Sequence, residues 1–151
     1  MTMALQLSGD ALGLGKVLQV VRVSDGTTVS TTSTSFVDVP SVSVSITPSS
    51  ASSKIILIGT AQVSPQGGAT NRMRVQLTNS SNTVISGAES ISGESSSAAS
   101  FHHVTMFGYD EPSTTSVVTY KMRYRCNDAG MTAYVEGSIA ATQLYAIEVA
   151  A

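Results

Sequence analysis

Charge is what this sequence most lacks. Asp, Glu, Lys and Arg make up only 12 % of its residues, about half the share usual in a soluble domain. The net charge of −2 supplies no positive field of the kind phosphate backbones require, which argues against nucleic acid as a partner. Cysteine occurs once, at Cys126, so no internal disulfide framework exists. That thiol falls in the strand-like run Tyr120 to Cys126, where a small buried side chain is expected. Long apolar runs are missing too, and no stretch approaches bilayer length, so no membrane insertion is expected. The first residues, MTMALQLSGDALGLGK, lack the basic start, apolar middle and cleavage site of a secretion signal. The expectation is a mature chain beginning near Met1, made in a host cytoplasm and released by lysis.

Serine and threonine take the polar positions that Lys and Glu normally fill. Thr suits a strand surface because it is β-branched, and a surface low in charge suits a protein packed against copies of itself or a larger body. A chain of 151 residues is long enough for one domain with a core and short for two.

What the sequence has in abundance is alternation. From Val17 to Ile58 it reads VLQVVRVSDGTTVSTTSTSFVDVPSVSVSITPSSASSKIILI, with apolar residues on a period of two. That period sends neighbouring side chains to opposite faces of a strand. Ser41 to Thr47 is the cleanest case: Val42, Val44 and Ile46 share one face, Ser41, Ser43, Ser45 and Thr47 the other. Val17 to Val23 is apolar on both faces, which predicts a strand buried on two sides. Asp25-Gly26 has hairpin chemistry, and strands are expected over Thr28 to Thr32 and Ser35 to Val39, the latter stopped by Pro40. Further strands are predicted over Lys54 to Val63, Arg72 to Thr78, Thr83 to Ser86, Phe101 to Tyr109, Ser116 to Cys126, Met131 to Val135 and Thr142 to Val149, with Pro65 to Ala69 a loop. No helical stripe appears beyond a short turn in the first 15 residues. About eight or nine strands imply an all-β, antiparallel β-sandwich of jelly-roll type as a single domain, residues 16–151, behind an N-terminal docking arm, residues 1–15.

Side chains for chemistry are few. His102 and His103 are the only imidazoles, and neighbours on a strand cannot share one metal within a chain; a threefold axis would be needed to gather three. No G-x-S-x-G elbow is present. The carboxylate pairs Asp110–Glu111 and Glu89–Glu94 fall in predicted loops, where turn solvation explains them better than glycoside hydrolysis. No phosphate-binding glycine loop or metal-ligand spacing occurs. The expectation is no catalytic residue, no metal, no cofactor and no enzyme activity.

Two features remain as a candidate interaction surface. Arg72, Arg74, Lys121, Arg123 and Arg125 are five of the eight cations, each on the polar face of its strand. In a common sheet they form a basic stripe, suited to acidic polysaccharide or a negative protein surface, or simply to a solvated face that resists edge aggregation. Ala88 to Ser100, AESISGESSSAAS, carries Glu89 and Glu94 and is too low in apolar residues to order itself. It reads as a long hairpin loop, or as one presented to a neighbour or receptor.

GKVLQVV followed by STTSTSFVDVPSVSVSITPSSASSKIILI resembles a module of tailed bacteriophages, marine and cyanobacterial ones above all, found in distal tail-fibre domains and small virion proteins. The resemblance covers Gly15 to about Gly59, and ATQLYAIEV, Ala141 to Val149, resembles the module's last strand; Pro65 to Thr115 matches only in general character. It implies a structural virion surface protein, most often a homotrimer, and brings no binding residues with it. Three functions then compete. The first is tail-fibre-like attachment to a host surface glycan or protein. The second is capsid (head) decoration, in which the arm docks on another virion protein. The third, weakest reading is a polysaccharide-acting enzyme.

Overall fold

A computed structural model describes residues 15–67, 71–94 and 100–151; the side chains of residues 71, 93 and 94 are outside the description. The expected arm, residues 1–15, falls almost wholly outside it as well. Among the described residues run ten strands, all paired antiparallel, and no helix. They are β1 Val17–Asp25, β2 Thr28–Thr31, β3 Val37–Ile46, β4 Lys54–Gln66, β5 Asn71–Asn79, β6 Val84–Glu94, β7 His102–Asp110, β8 Val118–Cys126, β9 Thr132–Glu136 and β10 Thr142–Val149. The antiparallel β-sandwich expected from the alternation is the fold, with ten strands in place of eight or nine.

One sheet runs β1-β10-β4-β7, the other β6-β5-β8-β3. The long β4 uses one edge twice, pairing with β10 over residues 54–60 and with β9 over residues 63–66; β2 flanks β9. At one side β6 joins the sheets through the pair Ser86–Tyr109, and at the other β1 packs over β3, which gives the sandwich a nearly closed, barrel-like section. The core lies between the inner faces that the period of two predicts. Ile55, Leu57, Ala61 and Val63 of β4 meet Met73, Val75 and Leu77 of β5, with Tyr120, Met122 and Tyr124 of β8 and Val42, Val44 and Ile46 of β3 beside them. Each large side chain buried there contributes about 1.5–3 kcal/mol relative to exposure.

Five local expectations are corrected. Asp25-Gly26 is a kink rather than a hairpin, because β1 pairs with β10 and β2 with β9; the Thr27 N–H donates to Asp25 Oδ1 at 2.8 Å. Pro40 does not end its strand. The β3–β8 ladder jumps from Asp38–Arg123 to Ser43–Lys121, and the proline, having no N–H, sits in that bulge beside Ser41, whose φ is 62°. Pro65 and Gln66 belong to β4 and not to a loop, paired only with β9 because the β4–β7 ladder stops at Val63–His102, while residues 68 and 69 of the expected loop lie outside the described residues. Residues 88–94 are strand, not loop: residues 89–94 ladder onto residues 71–76 of β5, and Ala88 is fully buried. Small polar residues pair here because β5 supplies the template, so they need no core of their own. Residues 95–99 lie outside the described residues. Lastly, β1 is an edge strand whose outer side chains are exposed, not a strand buried on two sides.

Candidate interaction surfaces

The two outer faces of the sandwich differ sharply in chemistry. On the first sheet, ladder register aligns outward side chains in rows across four strands. One row reads Val20, Ile147, Ile56, Tyr109; the next reads Arg22, Tyr145, Ile58, Phe107. Val20 is 56 % exposed, Phe107 61 %, Tyr109 48 % and Ile56 37 %, while Tyr145, Ile58 and Ile147 are half-buried. Val17 and Leu18, also exposed, extend the patch at the start of β1. Arg22 lies over the Tyr145 ring, 5.5 Å from its centroid, with its Nε donating to Gln143 Oε1 at 3.1 Å. At the opposite rim, Lys54 meets Glu111 at 2.7 Å and the Tyr109 hydroxyl donates to the same carboxylate at 2.6 Å. Lys54 first, then the Tyr109 hydroxyl, hold the Glu111 carboxyl below its ordinary range. A monomeric antiparallel sandwich normally turns polar side chains to water on such a face, and contiguous exposed apolar surface marks an interaction site.

The second sheet's outer face is mostly polar, apart from the exposed Val84 and Ile91 of β6, and carries the expected basic stripe. Because β5 and β8 are neighbours, Arg74 pairs with Arg125, Gln76 with Arg123 and Thr78 with Lys121. The structure therefore brings four of the five cations together, with Arg72 exposed farther along β5. Most of this charge is already engaged. Asp38 accepts from Lys121 Nζ at 2.8 Å and from Arg123 Nε at 2.7 Å, and the Lys121 bond above all holds its carboxyl low against the opposing effect of burial. Arg123 also donates to the Phe36 carbonyl at 2.7 Å, and Arg125 to the carbonyls of Cys126 (2.9 Å) and Thr34 (3.3 Å), lying over the Phe36 ring at 5.2 Å. Lys121 reaches Asn82 Oδ1 at 2.8 Å as well. These bonds strap residues 34–38 onto β8. Glu89, expected in a loop, stands on β6 and lines a shallow hollow of about 140 Å³ with Arg74, Phe36 and Ile91; the side chain of Glu94 lies outside the described residues.

Most of the remaining polar candidates are held within the fold. Asp110 accepts from the buried Tyr120 hydroxyl at 2.7 Å, and burial, then that bond, pushes the phenol up. His102 shares a 2.8 Å hydrogen bond with Ser100 Oγ, while His103 is exposed on the other face of β7. Cys126 is the buried thiol expected, bonded to the carbonyls of Thr31 and Met131, and burial pushes it up. Among the described residues no three His, Cys, Asp or Glu side chains gather as a metal site, and no helix is long and apolar enough to cross a membrane.

Two features escaped the sequence reading. The apolar terrace was legible in β1 but not in its neighbours, although Ile55 to Ile58 and Leu144 to Ile147 are apolar on both faces in the same way. The other is Glu148, fully buried on the inward register of β10. Its carboxylate accepts from the Ser49 N–H (2.7 Å), the Ser49 hydroxyl (2.6 Å) and the Gln19 amide (2.6 Å).

No family model matches the chain, and no curated protein matches it. Eighteen chains of solved structures match. One belongs to a structure of infectious bursal disease virus, Gx strain, with 13 % identity and a TM-score of 0.36, covering 88 % of this chain and 37 % of that one. The chain thus spans little more than a third of the length of that neighbour.

Proposed function

We propose that this chain is a non-enzymatic structural protein of a bacteriophage virion, a homotrimer displayed on the particle surface with a tail-fibre-like role in attaching to host glycan or protein. The observation that carries the reading is the division of labour between faces. One outer sheet carries two largely apolar rows across four strands and is fit for assembly, while the other is mostly polar, strapped and fit for water. The phage-like segment Gly15 to Gly59 contributes β1, β2, β3 and the first half of β4, so it supplies part of the apolar face and part of the polar one.

Capsid decoration is the second reading, favoured by the scarcity of charge, which suits a protein packed over a shell. Copy number per virion separates the two. A few tens of copies or fewer is expected for attachment, and hundreds would sink it in favour of decoration. Purified protein at saturating concentration should also adsorb to host cells and block infection; if neither occurs, attachment is wrong.

A further inference from the structure

We propose that the apolar outer face of the first sheet is the contact between copies of this chain, related by rotation about an axis parallel to its strands, so that the β1 edge of one copy meets the β7 edge of the next. This deepens the homo-oligomer reading above and rests on it.

The ends of the rows carry the argument. Each row is laid across the strands in fixed register, and its two ends differ. The Arg22 row begins with a cation on β1 and ends with the exposed ring of Phe107 on β7; the neighbouring row begins with Val20 and ends with Tyr109. A rotation axis along the strands preserves height, so it sets Arg22 of one copy beside Phe107 of the next, and Val20 beside Tyr109. A guanidinium over an aromatic ring and an aliphatic group against a ring are both favourable contacts. Arg22 already takes this geometry with Tyr145 in its own chain. Both halves of the recognition thus lie on one face of one chain, which is what a second copy requires and an unrelated partner does not.

Four strands about 4.8 Å apart give a width of about 19 Å, and two row steps of roughly 6.8 Å plus the side chains give a height of about 20 Å. That is a flat footprint of roughly 400 Å² per copy, which a closed ring shares between two neighbours, so three copies together bury about 1,200 Å² of flat sheet face around the axis.

The test uses the full chain. Its mass in solution, by light scattering after gel filtration, should be a multiple of 15.6 kDa. Combining Ile56→Lys with Phe107→Asp should weaken association at least tenfold and give monomer, with the circular dichroism of the strands unchanged. The pair Val20→Cys and Tyr109→Cys should, on mild oxidation, give a covalent ladder that stops at the ring size; buried Cys126 does not compete. A monomeric wild type overturns the homo-oligomer reading together with this interface. An oligomer that survives the charged variant and leaves the cysteine pair uncrosslinked overturns the interface alone. Should the charged variant fail to fold, the cysteine pair decides by itself.

Discussion

At the scale of single residues, Glu148 does the least expected work. Inward positions of β10 read Thr142, Leu144, Ala146, Glu148, and a carboxylate at the fourth position has to be desolvated. Burial opposes its ionisation, yet the donors from Ser49 and Gln19 outweigh burial and hold the pKa down at about 2. Gln19 also donates to the Thr47 carbonyl at 2.7 Å, so one buried charge fastens the turn between β3 and β4 to both β1 and β10. A group whose folded pKa is depressed stabilises the fold above its unfolded value, here near 4.5, and the contribution is lost as pH falls towards the folded value. Glu148→Gln should therefore destabilise the chain at pH 7 by on the order of 2 kcal/mol in urea unfolding. The gap between wild type and variant should narrow from pH 5 down to pH 2. A gap constant across that window would show that the ionised form contributes nothing. Glu148 went unremarked in the sequence although its inward register marks it as an anomaly, and its partners, some hundred residues away, leave no local signal.

At the scale of elements, local patterns placed the strands and misjudged their company. Alternation identified the inward residues of β3, β4, β5 and β8 correctly, because a period of two depends only on neighbours in sequence. Asp25-Gly26 misled because turn chemistry says that a chain bends, not which strands the two arms will join. The bend is shared: β1 passes into β2 beside the place where β9 passes into β10. There a Cβ on Gly137 would stand 2.5 Å from the Thr27 carbonyl oxygen, whereas one on Gly26 would meet nothing closer than 3.9 Å. Backbone at that distance cannot swing aside as a side chain can. Gly137→Ala should cost about 1–3 kcal/mol, and Gly26→Ala less than about 0.5 kcal/mol, measured by chemical unfolding. Equal effects at the two sites would mean that the shared bend is not tightly packed. The strand at residues 88–94 was hidden for the opposite reason, since its composition is that of a loop and only its pairing with β5 makes it a strand.

At the scale of the whole molecule, the polar and apolar outer faces explain why one candidate surface was readable and the other was not. Outward cations on β5 and β8 announce themselves, since nothing else puts Arg at alternate positions of a strand. Outward apolar residues do not, because a doubly apolar strand looks the same whether its second face meets core or another subunit. The basic stripe, once assembled, is largely spent on the chain itself: Asp38, the carbonyls of Thr34 and Phe36, and the Phe36 ring absorb Lys121, Arg123 and Arg125. The Asp38 pairs are partly exposed, with side-chain exposures of 20 % for Lys121, 15 % for Arg123 and 48 % for Asp38, and pairs of that kind contribute about 0.2–1 kcal/mol each. Changing Arg72, Arg74, Arg123 and Arg125 together to Ser should accordingly lower stability by about 1–2 kcal/mol through loosening of residues 34–38, and wild-type stability should fall modestly with added salt. The mass in solution should stay that of the wild type, because these cations lie on the face away from the apolar rows. Dissociation to monomer in that variant, with the strands still folded, would transfer the assembly role from the apolar face to the basic one.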